Sequence, residues 1–148
     1  MTEVLGNSIQ FFEEDIKFLL KNKRKLRNWF RATILKEGGK PGTLNFIFCS
    51  DSYLLEINTS YLNHNTFTDI ITFDLSEDKQ TVSGDIFISI ERVKENAKSF
   101  KISFPWELNR VLIHGILHLL GYQDKTPSQK KEMRSKEDYY LSLLADLK

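Results

Sequence analysis

Cysteine, proline and histidine are scarce in this chain of 148 residues, which contains one cysteine, three prolines and three histidines. A single cysteine excludes a disulfide framework within the chain and is typical of the reducing cytoplasm, which is the localisation we expect. Cys49 lies in an apolar run, so a buried thiol is favoured over a nucleophile. No apolar run is long enough to span a bilayer, and the N-terminus lacks a signal-peptide pattern. No membrane association is therefore predicted.

Excess charge of either sign is also absent, because the net charge is only +1. The distribution of charge is more informative. A basic cluster occupies residues 21–27 and is extended by Lys17 and Arg31. Two interpretations remain open: the cluster contacts a nucleic-acid backbone, whose phosphates supply most non-specific affinity, or it is the solvated face of a helix.

Length and composition predict one folded domain over residues 1–148. Apolar residues make up 41% of the chain and include eleven phenylalanines, which excludes a disordered protein. Strand and helix patterns alternate along the sequence, which indicates the α+β or the α/β class. We expect α+β, with a single mixed sheet of about four strands packed with about five helices and a metal site on a core helix.

The predicted elements follow from hydrophobic periodicity, capping residues and turn residues. Asp51 is the predicted N-cap of the second helix, Ser89 or Glu91 opens the third, and Trp29 and Trp106 are predicted to be core residues. The predicted strands cover residues 9–12 (an edge strand), 44–50, 70–74 and 85–90. The predicted helices cover residues 15–36, 51–62, 89–100, a segment that begins near 105, and 126–144. The predicted loops cover residues 38–42 and 76–83.

The segment from His114 to Asp124 carries the strongest functional signal. His114 and His118 are four residues apart in an otherwise apolar run, so both imidazoles project from one face of a helix. Gly121 suits a left-handed helix end, after which Asp124 can turn back toward the rings. Two histidines and a carboxylate can bind zinc and leave a fourth position open for water. One Zn²⁺ ion is the default prediction, although Fe(II) and related divalent ions accept the same ligands.

A polar stripe runs along this predicted core helix. Helical spacing backward from His118 passes through His114, Arg110 and Glu107. Buried polar groups are costly unless they are paired or bind something. The alternative to a metal site is a pair of hydrogen-bonded core histidines, but the spacing, the helix end and the following carboxylate together favour the metal.

The same spacing occurs in metzincin proteases, with one difference. Those enzymes place a glutamate directly after the first histidine as the general base. Here that position is Gly115, which cannot transfer a proton. A metzincin-like metallohydrolase or protease is therefore disfavoured and is kept as an alternative.

Three motifs together resemble the YbeY family of metal-dependent, single-strand-directed endoribonucleases of ribosomal RNA maturation. The motifs are HGILHLLGY, TDIITF and GDIFIS, and the resemblance runs from about Asn45 to Leu120. In that family three histidines bind zinc from a segment of the form HGxLHLxGYDH. The resemblance implies His114 and His118 as the first two ligands, and it puts Asp124 where the family has its third histidine.

A second departure concerns an arginine. Family members usually carry arginine after the tyrosine that precedes TDxxxF, and that arginine is thought to serve RNA cleavage, but here Leu62 follows Tyr61. By position, His64 or Arg110 is a candidate for the missing phosphate contact or proton transfer. The expected catalytic residues are His114, His118, Arg110 and His64.

The resemblance implies cleavage of single-stranded RNA, with ribosomal RNA as the substrate and the ribosome or its small subunit as a partner. Water activated at the metal and an RNA hydroxyl both remain open as the nucleophile. A further alternative is a non-catalytic ribosome-associated factor in which the metal only holds the fold together.

Overall fold

The computed structural model describes residues 8–147, which form a four-stranded sheet packed with five helices, as the sequence predicted. Along the chain the elements are β1 (Ile9–Glu13), α1 (Lys23–Lys36), β2 (Lys40–Cys49), α2 (Asp51–Leu62), β3 (Ile70–Asp74), β4 (Thr81–Ser89), α3 (Ile90–Phe100), α4 (Phe104–Leu119) and α5 (Pro127–Asp146). Runs of helix and strand in this proportion on one mixed sheet define an α+β fold.

The sheet has the strand order β1-β2-β4-β3. β1 and β4 both run parallel to β2, whereas β3 is antiparallel to β4. β1 is therefore an edge strand, as expected from its sequence. β2 and β4 occupy the middle, and their apolar residues Leu44, Phe46, Ile86 and Ile88 are fully buried.

Helix α4 is the core helix that the histidine motif predicted. It packs against β3, β4, α3 and α5. Leu112, Ile113, Ile116 and Leu117 have no exposed surface. Ser103 caps its N-terminus by accepting a hydrogen bond from the Trp106 N–H. This burial fixes the direction in which the two histidines of α4 point.

The predicted helix from Asp15 to Lys36 is too long, because α1 begins only at Lys23. Asp15 and Asn22 both have left-handed backbones, with φ of 38° and 61°, which a right-handed helix cannot include. The Asp15 carboxylate also accepts a hydrogen bond from the Ser50 N–H at 3.0 Å, which ties this segment to the end of β2. Segment 15–22 is therefore held by a tertiary contact that the local sequence pattern does not reveal.

Four smaller predictions need correction. Ser50, not Asp51, is the N-cap of α2, and its hydroxyl accepts from the Tyr53 N–H. β2 already begins at Lys40, inside the predicted loop, and β4 occupies 81–89 rather than 85–90. Both strands are longer because they pair with each other as far as Lys40 and Thr81. Trp106 is 48% exposed and is not a core residue, whereas Trp29 is buried and donates its indole N–H to the Tyr140 carbonyl.

The Cys49 thiol is fully buried, as predicted. Burial, followed by the nearby charge of Asp15, raises the pKa of Cys49 to about 12. The thiol is therefore protonated and unsuited to nucleophilic chemistry. None of the helices among residues 8–147 combines the length and apolar character needed to cross a membrane.

Candidate metal centre and cleft

The end of α4 turns the chain back toward its own histidines. Gly121 has φ of 110°, and the N–H groups of Gly121 and Tyr122 donate to the carbonyls of His118 and Leu117. These two bonds form a Schellman motif, which ends a helix and requires a residue that tolerates positive φ. Asp124 follows three residues later and is positioned by this turn.

Three donor atoms converge beyond the end of the helix. Asp124 Oδ2 lies 3.3 Å from His114 Nε2 and 3.2 Å from His118 Nε2. The donor atoms of the three residues all lie within 4.8 Å of one another, as a shared ion requires. Ligands held about 2.0–2.2 Å from a tetrahedral zinc ion are separated by roughly 3.3–3.6 Å. These three residues can therefore hold a metal ion.

His114 is oriented by a residue that the sequence analysis missed. Its Nδ1 lies 2.6 Å from the carboxylate of Glu137, which is buried on α5. Donation of the Nδ1 proton to this carboxylate leaves the lone pair on Nε2, which faces Asp124. A metal-binding histidine usually has such a carboxylate partner on its other nitrogen. Glu137 lies 23 residues after His114, so no local sequence pattern could have linked the two.

Arg110 is engaged in ion pairs with two buried carboxylates. Its guanidinium contacts Glu107 at 2.6 and 2.9 Å and Glu137 at 3.1 Å. Burial alone would lower the pKa of Arg110, but its hydrogen bonds and ion pairs with Glu107 and Glu137 raise it. Burial would likewise raise the pKa of Glu137, but the hydrogen bond from His114 and the charge of Arg110 lower it. The polar stripe predicted on α4 is thus a satisfied network that continues into α5.

His118 is favoured as a neutral ligand. Burial lowers its pKa, and the neighbouring His114 lowers it further, in spite of the nearby Asp124 carboxylate. A neutral imidazole is the form that binds a metal. The two histidine rings lie edge to face with centroids 4.5 Å apart.

The donor atoms open into a cleft of about 430 Å³. His114, His118 and Asp124 line the cleft together with residues of α2, of β3 and of the segment between these two elements. The lining includes His64, which the sequence predicted as a catalytic candidate, and Leu62, the last residue of α2, at the position of the family arginine. The structure thus brings His64 to the same cleft as His114, His118 and Asp124, while Arg110 lies outside its lining.

A second depression of about 300 Å³ meets the site from the side of α5. Arg110, His114 and Asp124 line it together with Lys130 and Arg134, two cations that the sequence analysis did not single out. The side chain of Arg134 is 58% exposed. Positive charge is therefore available beside the donor atoms from the first two turns of α5.

The basic cluster near α1 is divided between two environments. The Arg27 guanidinium donates to the Ile9 carbonyl at 2.8 Å and covers the ring of Phe11, so it has a structural role. Lys21 and Lys25 line a separate groove that shares no residue with the metal cleft. None of these three basic residues lines the metal cleft.

A protein-family model described as Endoribonuclease YbeY matches residues 8–145. The chain belongs to the YbeY family. Proteins named endoribonuclease YbeY from Cytophaga hutchinsonii and Flavobacterium psychrophilum are each 51% identical to it, over 136 and 132 residues. The first match covers 92% of this chain and 95% of the relative, and the second covers 89% and 94%. The solution structure of TM1509 from Thermotoga maritima superimposes on this chain with a TM-score of 0.63 and a sequence identity of 32%. The match covers 93% of this chain and 89% of TM1509.

Membership of the YbeY family agrees with the resemblance of the three sequence motifs. The motif residues meet at one place in the structure, because TDIITF forms β3 with its preceding turn, GDIFIS forms β4, and the histidines lie on α4, which packs against both strands. The carboxylate of Asp124 lies where the sequence predicted the third ligand.

Proposed function

We propose that this chain is a metal-dependent endoribonuclease of the cytoplasm that cleaves single-stranded RNA, with ribosomal RNA as the substrate and the ribosome or its small subunit as a partner. One domain spanning the chain would carry this activity. The observation that carries the proposal is the convergence at an open cleft of a carboxylate oxygen and two imidazole nitrogens, with Asp124 Oδ2 at 3.3 and 3.2 Å from Nε2 of His114 and of His118. Relatives that are 51% identical to this chain are named endoribonucleases, and this supports RNA cleavage as the reaction.

His114, His118 and Asp124 would hold the ion, and the ligand set favours Zn²⁺. Such an ion, when bound, supplies a Lewis acid for a phosphoryl oxygen and water that ionises near neutral pH. The residues of the chain provide the rest. Glu137 holds His114 with Nε2 directed at the site, and Arg110 holds Glu137 in place.

Two groups of residues are available to act on the substrate itself. His64 lines the cleft and is a candidate for proton transfer to or from the RNA. Lys130 and Arg134 border the site from α5 and are candidates for contacts with the phosphates on either side of the cleaved bond. We assign the charge-neutralising role to these two residues, because the guanidinium of Arg110 is largely buried between two carboxylates. The Arg134 side chain is 58% exposed and makes only a longer ion pair of 3.7 Å with Glu137.

Peptide hydrolysis is disfavoured by the surroundings of Gly115. A side chain there would begin 3.0 Å from Ile70 and 3.1 Å from Ile86, against the sheet. The general base of a metzincin thus has no place at this position. A non-catalytic factor with a structural metal differs from the proposal in one respect that can be tested, namely that it would bind metal without cleaving RNA.

The test measures metal content and cleavage of an unstructured fluorescent RNA on the same samples of wild type and Asp124→Ala. Wild type should bind one zinc ion per chain and cut the RNA. In Asp124→Ala, the zinc affinity and the rate of cleavage should both fall by more than about 10–100-fold, the effect typical of removing a residue that only hydrogen-bonds to a metal ligand. Gln123→Ala is the matched control, because Gln123 is exposed on the same turn.

Two outcomes would count against the proposal. Full metal occupancy and cleavage in Asp124→Ala would contradict the proposed site. Wild type that binds metal but does not cut RNA would favour the non-catalytic factor. The ends of the cut RNA then identify the nucleophile, because a cyclic phosphate product indicates attack by the RNA hydroxyl.

A further inference from the structure

Phe67 is an exposed aromatic residue on the wall of the metal cleft. It lines the same cleft as His114, His118 and Asp124, and 54% of its surface is exposed. Such exposure forfeits most of the stabilisation that burying a phenylalanine ring would give. The position of Phe67 is therefore not explained by packing of the core.

The ring of Phe67 is covered on one face by a fixed cation. The guanidinium carbon of Arg92 lies 5.1 Å from the centroid of the ring, within the range of a cation–π contact. Arg92 is itself held by Asp51, with Nη2 and Nε of its guanidinium 2.6 and 3.3 Å from the two carboxylate oxygens. This contact fixes the plane of the ring while much of its surface remains open to solvent.

The segment that carries Phe67 is anchored by a buried amide. Asn58 is only 4% exposed, and its side-chain N–H donates to the Thr66 carbonyl at 2.8 Å. The Asn58 carbonyl also accepts from the His64 N–H at 3.0 Å. The backbone is thus held at residues 64 and 66, and residue 66 directly precedes Phe67. A ring on an anchored backbone loses little conformational freedom when a flat ligand stacks on it.

We propose that Phe67 is a base-stacking subsite, on which one unpaired base of the RNA lies while the neighbouring phosphate is at the metal centre. The subsite rests on the proposed nuclease function and adds a physical basis for the choice of single strands. A base inside a duplex has both faces covered by its neighbours, whereas an unpaired base can offer a free face to the ring. Every base has such a face, so the subsite selects for strandedness rather than for sequence.

The test measures binding of a nuclease-resistant 2′-O-methyl oligonucleotide by fluorescence anisotropy, at fixed salt and in the presence of Zn²⁺. Phe67→Ala should weaken binding by about 5- to 150-fold, the range expected for the loss of one stacked base. Phe67→Leu keeps an apolar side chain without a π-face and should lose about as much. Phe67→Trp should bind as tightly as wild type or more tightly.

Phe100→Ala is the matched control. Phe100 is 56% exposed, close to the value for Phe67, but it ends α3 and does not line the cleft. This variant should bind like wild type. The same measurement with a duplex of the same sequence should show a much smaller effect of Phe67→Ala, because a duplex cannot use the subsite.

The proposal is overturned if Phe67→Leu binds the single strand as tightly as wild type, or if Phe67→Ala loses no more than Phe100→Ala. It is also overturned if single strand and duplex are weakened equally, which would indicate a contact with the backbone. Wild type that cleaves RNA while the Phe67 variants bind normally would leave the nuclease function intact and remove only the subsite. Wild type that neither binds nor cleaves RNA would overturn both.

Discussion

The carboxylate of Glu137 contacts both the histidine of the proposed metal site and the buried guanidinium of Arg110. One oxygen faces His114 at 2.6 Å, and the other faces Arg110 at 3.1 Å. A buried carboxylate is stable only when its charge is compensated, and here Arg110 and the His114 ring compensate it together with a longer ion pair of 3.7 Å to Arg134. The side chain therefore orients a proposed ligand and also anchors α5 to α4.

Replacement of Glu137 by glutamine tests this role at the scale of one residue. The variant keeps the shape but presents a weaker acceptor to His114 Nδ1 and leaves Arg110 with one carboxylate fewer. We expect the affinity for Zn²⁺ to fall by about 10–100-fold. Competition with a chromophoric chelator measures this affinity directly, without relying on catalysis.

Asp138→Asn removes one negative charge from the next residue, which is exposed, and should leave the affinity unchanged. Equal zinc affinities for Glu137→Gln and wild type would show that the contact between Glu137 and His114 does not strengthen zinc binding.

At the scale of the element, α4 combines a packed face and a functional face at adjacent positions. His114 points into the cleft, whereas the next residue, Gly115, meets the sheet through Ile70 and Ile86. A Cβ at this position would be 3.0–3.4 Å from these side chains, closer than ordinary contact. Glycine at 115 therefore lets the helix approach β3 and β4 closely enough to place both histidines.

Gly115→Glu should destabilise the protein without creating a peptidase. The carboxylate would be forced against apolar side chains, and overpacking adds to the cost of burying an unpaired polar group. We expect the free energy of unfolding to fall by at least about 3 kcal/mol. Urea denaturation followed by circular dichroism measures this change.

Trp106→Glu adds the same side chain near the start of α4, where the native residue is 48% exposed. Its unfolding free energy should stay close to that of wild type. A stable Gly115→Glu protein would mean that the helix can move away from the sheet at little cost.

At the scale of the whole molecule, Glu37 joins three distant parts of the chain. Its carboxylate, at the C-terminus of α1, accepts hydrogen bonds from Tyr122 at 2.6 Å, from Lys136 at 3.1 Å and from Tyr140. Tyr122 belongs to the turn that carries Asp124, and the other two donors belong to α5. The turn with the third proposed ligand is thus fixed to both α1 and α5.

Tyr122→Phe should lower the free energy of unfolding by about 1–3 kcal/mol, the usual contribution of a hydrogen bond to a charged group. It should also weaken zinc binding, because Asp124 follows only two residues later. Urea denaturation and a zinc titration on the same sample measure the two effects. Tyr139→Phe, in which an exposed tyrosine of α5 loses the same hydroxyl, is the control.

The stability difference between Tyr122→Phe and wild type should depend on pH. Burial alone would raise the pKa of Glu37, but the hydrogen bonds from Tyr122, Tyr140 and Lys136 outweigh it and lower the pKa below 4.5. A group with a lowered pKa in the folded state stabilises the protein above its ordinary pKa, and that contribution is lost as the pH falls through the lowered value. The difference in unfolding free energy between the two proteins should therefore be largest at pH 7 and decrease below pH 4.5. A constant difference across this range would contradict the charged contact.

The sequence by itself determined the elements and residues whose cause is local. The spacing of His114 and His118, the glycine that ends α4 and the return of Asp124 lie within eleven residues, so helix geometry alone predicted that their side chains would meet. The four strands followed in the same way from their own apolar patterns.

Only the tertiary structure decided what depends on residues far apart in the chain. Glu137 reaches His114 across 23 residues, and Tyr122 reaches Glu37 across 85, and no periodic pattern encodes either pair. Asp15 accepts a hydrogen bond from Ser50, 35 residues away, and the segment before α1 is therefore not part of the helix that the sequence predicted. Local propensity sets which backbone conformations are cheap, but packing and long-range hydrogen bonds select among them and set the final geometry of the site.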